Sequence, residues 1–465
     1  MVALNERKIA IVRTLVESAP DRVVGRLQQA LFESGGDSAL AGVRKLVEIE
    51  AQDRSLRNTI LSPIAPLCVG DGVSARKLTF PARALPCLWR GLKDLAPDVI
   101  AAADTVIAEI NDTSPARAVD AMNRSFDALT RLAANALRAR EQRDFSVAAE
   151  LCDRARPGGA DLLAACLDLA PVVRKAAQRL PEWIAHSGED TTAASRLAYK
   201  DAVATADDAG PRFFEMLAAQ LSPPWMVLRV ISAVMDKPTE RYMADSEVGG
   251  FGEGVMTEID DALVAISKLD LDGGVTAGRA AGKLVELISL QTSELEACIE
   301  LSRDHGWGLR IVRQRKSLAG VVEGLLREAE KLAAAALPTE MASKQRMRRQ
   351  LPCLTVMPDA RAVTRATTLL AFTQEIRSSA NYAGFSSVHA KTLENIGAML
   401  DHYVEDVLDH LKTGDVEHVE IAGAFLAIAA DYCERVRDEK AGALIRRRAA
   451  VACNGDAAAH LEPHA

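Results

Sequence analysis

The run DHYVEDVLDH, Asp401 to His410, is the densest stretch of metal-capable side chains in the chain. On a helix, His402, Asp406 and Asp409 fall at i, i+4 and i+7 and share one face. Imidazole and carboxylate at that spacing could hold a divalent cation. The apolar residues of the same run argue against it. Leu400, Tyr403, Val404, Val407 and Leu411 form a stripe on the opposite side at about 100° per residue, so His402, Asp406 and Asp409 are expected in water. Metal sites buried in bundles instead take inward Glu and Glu-x-x-His pairs from several helices. No metal ligand is assigned.

The segment GGFGEG, Gly249 to Gly254, has the alternating glycines that let backbone amides approach a phosphate. A dinucleotide fingerprint must follow a β-strand, and none is readable before it; the GxxxxGK[ST] loop is also missing. It reads as a flexible connection between helices. GxSxG and HExxH are absent, and the acid pairs Asp207-Asp208 and Asp260-Asp261 lack the third acid of a DDxxD site. His305 followed by Gly306 suits the last turn of a helix, where a cation complements the dipole and glycine closes the end. Trp225 and Trp307, each beside turn residues, read as core. No catalytic residue and no cofactor is expected.

Charge is the remaining signal. Arg310, Arg313, Arg315 and Lys316 lie early in one helix, and Lys344, Arg346, Arg348 and Arg349 cluster after the next break. Arg446-Arg447-Arg448 follows Lys440 near the end. Such clusters suit a solvated, ion-paired face, or a surface for an anionic partner through residues 310–349. No aromatics alternate with them, as stacking on single strands requires, and no helix-turn-helix is evident. Nucleic acid is therefore an unlikely partner, and the net charge of −8 points the same way.

The elements that must carry these residues read as helices. The chain has 465 residues, 49% hydrophobic, 26% charged and only 4% aromatic, with abundant Ala, Leu, Val and Arg. That mixture can bury a core and favours helix; it also fits a GC-rich bacterial genome. Val23, Val24, Leu27, Ala30 and Leu31 make one apolar stripe after Asp21. Gly35-Gly36 stops it, Asp37 caps a second helix, and two helices of about four turns joined by a very short loop are expected to lie antiparallel. Further helices start near Ser114-Pro115, Pro157-Gly158-Gly159, Ser222-Pro223, Asp272-Gly273-Gly274, Gly308, Pro358-Asp359 and Ser386, and the last spans Val416 to Arg437. Only Lys77-Leu78-Thr79-Phe80 looks extended.

The fold class expected is all-α: stacked antiparallel hairpins and bundles, open to a solenoid-like arrangement, with no significant sheet. The expected segments are N-terminal hairpins over 1–66, a bundle over 67–190, a connecting helical segment over 191–272, a long-helix bundle over 273–452 and a frayed tail over 453–465. RALPCLW (Arg83–Trp89) and RQLPCLT (Arg349–Thr355) echo each other and raise a duplication as an option. Eight cysteines without CxxC spacing read as reduced, mostly buried thiols. The first residues do not form a secretory signal. The most apolar run, Ile421 to Ala430, is too short to span a bilayer, which needs about 20 residues.

A cytoplasmic, non-catalytic interaction protein is the function expected: an adaptor, scaffold or regulator that binds another protein. The alternatives are an enzyme with its site inside a helical bundle, or an anionic-partner binder, nucleic acid or membrane surface, through 310–349. Self-association is compatible with each.

Overall fold

Ala and Leu at helical spacing do produce an all-α chain. The computed structural model describes residues 6–33, 40–70, 78–110, 115–186, 188–341, 350–381, 384–414 and 416–459. The chain is 80% helical, with nineteen α-helices and one two-stranded ribbon among the described residues. No helix among them is long and apolar enough to cross a membrane. Two compact units are formed, Met1–Lys237 and Pro238–Ala465; the division falls inside the 191–272 segment.

The first unit opens with α1 (Glu6–Ser18), α2 (Asp21–Glu33) and α3 (Ala41–Ile60). These share a small core of Val16, Val24, Leu31 and Val47. Next come α4 (Ala84–Leu95), α5 (Pro97–Glu109), α6 (Ala116–Ala139) and α7 (Arg143–Ala155). The central α8 (Gly159–Ala185) follows, then α9 (Glu189–Val203), α10 (Ala209–Ala219) and α11 (Val227–Met235). Leu163, Leu167, Ala170 and Val173 of α8 are fully buried, as are Phe145, Phe213 and Phe214 of its neighbours α7 and α10. Phe80, in the stretch read as extended, forms an isolated bridge with Cys68.

The second unit runs through α12 (Glu240–Ala244), α13 (Gly249–Ser267), α14 (Gly274–Cys298) and α15 (Gly306–Ala336). The strands β1 (Thr339–Met341) and β2 (Gln350–Pro352) pair antiparallel, with Glu340 opposite Leu351. Then follow α16 (Ala360–Glu375), α17 (Ser386–Thr413), α18 (Val419–Val436) and α19 (Glu439–Ala459). Their shared core holds Leu369, Leu400, Val407, Phe425, Leu426 and Ala429. Gly278 and Gly282 let α14 lie directly on α16: a Cβ at Gly278 would sit 2.1 Å from the Thr368 carbonyl oxygen.

Arginine joins helices in both units. The last turn of a helix leaves carbonyls without intrahelical donors and carries partial negative charge, which a guanidinium satisfies on both counts. Arg54 on α3 donates to the carbonyls of Val16 (2.9 Å) and Ala19 (2.7 Å) at the end of α1. Arg44 reaches Leu31 O in the last turn of α2, and Arg229 reaches Ile184 O in that of α8. Arg174, on α8, donates to Ile60 O (2.7 Å) at the end of α3. Arg377 does the same to Val436 O (2.7 Å) of α18. Burial pulls the Arg174 guanidinium below its ordinary pKa, and Asp127 at 3.4 Å opposes that pull.

The two echoing stretches fold differently. Pro86-Cys87-Leu88 lies in the first turns of α4, whereas Pro352 ends β2 and Cys353-Leu354 leaves it as coil. They are not a structural repeat. All eight cysteines are free thiols; Cys87, Cys152, Cys166, Cys298 and Cys433 are buried. Burial pushes Cys68 and Cys152 up to about 12, which keeps them protonated and unreactive at neutral pH.

Candidate functional site

The first predicted basic cluster lies in the N-terminal half of α15, where polar groups converge from α12, α13 and the loop before α15. Glu240, at the start of α12, is buried. Its Oε2 accepts from the amides of Ser302 and Gly308, each at 3.0 Å. The first amides of a helix have no intrahelical acceptor, so this carboxylate caps α15 from another element. Gly306 and Gly308 make room for it. Gly306 adopts φ +57°, and a Cβ there would meet Glu240 Oε1 at 2.3 Å. At Gly308 a Cβ would stand 1.6 Å from the Ser302 carbonyl oxygen.

His305 corrects the sequence reading. The preceding helix ends at Cys298, and His305 is the extended residue (ψ 177°) immediately before α15. It therefore stands at a helix start, not in a last turn; a pattern of His-Gly alone does not say which helix it borders. Its Nδ1 lies 3.1 Å from Glu240 Oε1 and its Nε2 3.3 Å from Ser302 Oγ. A carboxylate only accepts, so Nδ1 carries a proton, and in the neutral imidazole the hydroxyl donates to Nε2. Hydroxyl, imidazole and carboxylate thus stand in the order of an acyl-transfer relay. The histidine side chain is 77% exposed, however, and Glu240 is already committed to two amides.

The GGFGEG segment also departs from expectation. It is helical, forming the first turns of α13. Gly252 is there because the Trp307 ring lies on it: a Cβ would meet the ring at 2.5 Å. Trp307 is core, as read, and its Nε1 donates to Glu253 Oε1 at 2.6 Å. Helix-to-helix packing supplies the reason for the glycines that phosphate binding would otherwise have explained.

Arg310 sits beside this contact. It donates to Glu253 Oε2 (2.7 Å) and Asp260 Oδ2 (2.7 Å), which hold its pKa above the ordinary value against the desolvation that opposes them. The other oxygen of Asp260 accepts from Gln314 at 2.7 Å. Arg315 pairs with Glu296 at 2.7 Å. Arg313 and Lys316 are exposed and form no ion pair among the described residues. Lys344, Arg346, Arg348 and Arg349 lie outside the described residues. Of the predicted set, then, Arg310 and Arg315 are spent on neighbouring helices.

The Asp401–His410 run lies on α17. His402 and Asp409 are exposed as expected, but Asp406 is buried. Asp406 lies beside the buried Val407 on a helix that packs against α15, α18 and α19, so the buried side of α17 is wider than the five-residue stripe implied. Among the described residues no three His, Cys, Asp or Glu side chains are grouped to hold a metal ion. Arg446 pairs with Asp431 and Glu434, and Arg448 forms a two-pronged pair with Glu405.

Sequence reasoning missed the surface of the N-terminal helices. Of the α2 stripe, Val24 and Leu31 are buried, but Val23 (49%) and Leu27 remain exposed. Ile11 and Leu15 (62%) stand one turn apart on α1, and Phe32 at the end of α2 is 85% exposed. The signal available was the shortness of the first hairpin, which offers little to cover two apolar faces.

Fold and surface together define an all-α protein of two helical units, with much of its buried charge used to join helices. Comparisons of the chain with protein-family models, with curated proteins and with solved structures return no match.

Proposed function

We propose that this is a non-catalytic interaction protein of the cytoplasm, an adaptor, scaffold or regulator, that binds another protein through its helical surface. The observation that carries this reading is the number of apolar side chains left in water on α1 and α2: Ile11, Leu15, Val23, Leu27 and Phe32. Single exposed apolar residues are ordinary. Pairs at i, i+4 on consecutive helices are what an amphipathic docking face requires. Each such side chain gains roughly 1.5–3 kcal/mol when fully buried.

The test is affinity capture of the full chain from its native cell, beside the variant Leu15→Glu/Leu27→Glu/Phe32→Ser. A stoichiometric protein present with the wild type and lost from the variant supports the reading. Self-association, seen as a dimer mass by light scattering that the variant abolishes, would redirect the surface to a second copy. Identical captures from wild type and variant, with both monomeric, would overturn it.

A second reading, an enzyme, draws on the Ser302–His305–Glu240 relay alone. It requires a fluorophosphonate probe to label Ser302 in the wild type and not in Ser302→Ala or His305→Ala. Absence of labelling disposes of it.

A further inference from the structure

A furrow of about 730 Å³ runs between the C-terminal part of α17 and the middle of α19. Leu408 and Leu411 form its buried floor. Leu444 (51% exposed) and Val451 (75% exposed) stand along one wall, at i and i+7 of α19. Lys412, Arg447 and Arg448 line it as well, and among the described residues no carboxylate does. Arg448 is held by Glu405 and Lys412 by Asp409, while Arg447 is exposed and forms no ion pair among the described residues. The trough is thus apolar, with Arg447 as the one lining cation that no carboxylate among the described residues pairs.

We infer that this furrow takes an acidic amphipathic helix from a partner protein. Two neighbouring helices with an apolar seam between them are completed by a third, whose residues at i, i+3, i+4 and i+7 enter the seam. A glutamate or aspartate flanking that stripe meets Arg447, with Lys412 and Arg448, already paired to Asp409 and Glu405, beside it. Such complementarity speeds encounter and selects the acidic helix over a basic one. The concave shape favours a helix over an anionic membrane, because a membrane-surface segment presents its apolar residues on a convex face. The furrow lies in the second unit, so the inference does not depend on the N-terminal helices binding anything.

The experiment uses the full chain and a fluorescein-labelled, roughly 18-residue helical peptide, long enough to hold helix when bound. The peptide carries Leu at i, i+3, i+4 and i+7 and Glu at the flanking positions; a twin carries Lys in place of Glu. Fluorescence anisotropy is read at rising salt, and sedimentation with vesicles of phosphatidylserine and phosphatidylcholine is run beside it. The Glu peptide is expected to bind at least about tenfold more tightly than the Lys twin, and to weaken as salt screens the cations. Arg447→Glu and Val451→Asp, both on exposed side chains, are expected each to weaken it about tenfold with an unchanged melting temperature. The inference is overturned if the Glu peptide fails to bind at about 0.1 mM, if both peptides bind alike, if both variants keep wild-type affinity, or if only vesicles bind.

Discussion

The start of α15 and the three N-terminal helices handle their surfaces in opposite ways. Around α15, polar groups drawn from three elements share partners: Glu240 takes two amides, Arg310 takes Glu253 and Asp260, and Gln314 donates to Asp260, although Gln314 Oε1 finds no partner of its own. The N-terminal helices have an equally well-matched polar seam, in which Arg54 and Arg57 meet Asp21 and the end of α1. Their apolar side is what stays open. The difference teaches that extensive polar pairing says nothing about how well the apolar surface is covered. A buried polar group left unpaired costs about 1–3 kcal/mol, so most such groups find partners, whereas an apolar group left in water forgoes only its own burial.

The comparison can be broken most forcefully at Gly308. Gly308→Ala places a methyl 1.6 Å from the Ser302 carbonyl and is expected to cost more than about 3 kcal/mol. Gly320→Ala on the same helix meets nothing within 4 Å and should add about 0.5–1 kcal/mol. Urea unfolding of the two variants decides the point; equal effects would mean that α15 does not begin as described.

Arg54→Met tests whether the N-terminal seam is as demanding. It strips donors from Val16 O, Ala19 O and Asp21, and a loss of about 3 kcal/mol in the same unfolding series is expected. A near-neutral result would show that the seam, like the apolar side, is loosely held.

A pH series extends the contrast to a buried imidazole. His389 donates from Nε2 to Thr373 O at 2.8 Å, and burial, helped by Arg377, lowers its pKa below 6.5. The unfolded chain then binds a proton more readily than the folded one. This group's contribution is present above about pH 6.5 and is lost as pH falls below it. The melting temperature should therefore drop on acidification through that window, less steeply in His389→Gln. An identical slope in both proteins would remove His389 from the account.

The smallest effect is expected on the open side. Leu15→Glu and Leu27→Glu should each change stability by no more than about 0.5 kcal/mol, because neither side chain is buried in the unit. A large loss would mean that these residues are core after all, and would break the comparison from the other end.

Much of the fold was legible in the residues. The boundaries of α17 and the near absence of strands followed from periodicity, caps and Gly/Pro punctuation, all properties of local sequence. The stripe of α2 was legible too, but only as a stripe: Val23 and Val24 are adjacent letters of one apolar run, and one is exposed while the other is buried. The polar corner was the least legible part. Glu240 lies more than sixty residues from the amides it caps, and no local pattern links them.

The sequence by itself determined that the chain is helical and where several of the longer helices begin, because these depend on backbone propensity and side-chain period. Tertiary structure alone decided that the glycines of GGFGEG seat a tryptophan, that Arg310 turns toward two acids while Arg313 does not, and which half of an apolar stripe is covered. Those outcomes depend on which distant helix arrives at a given face, and the information for that is spread over the whole chain.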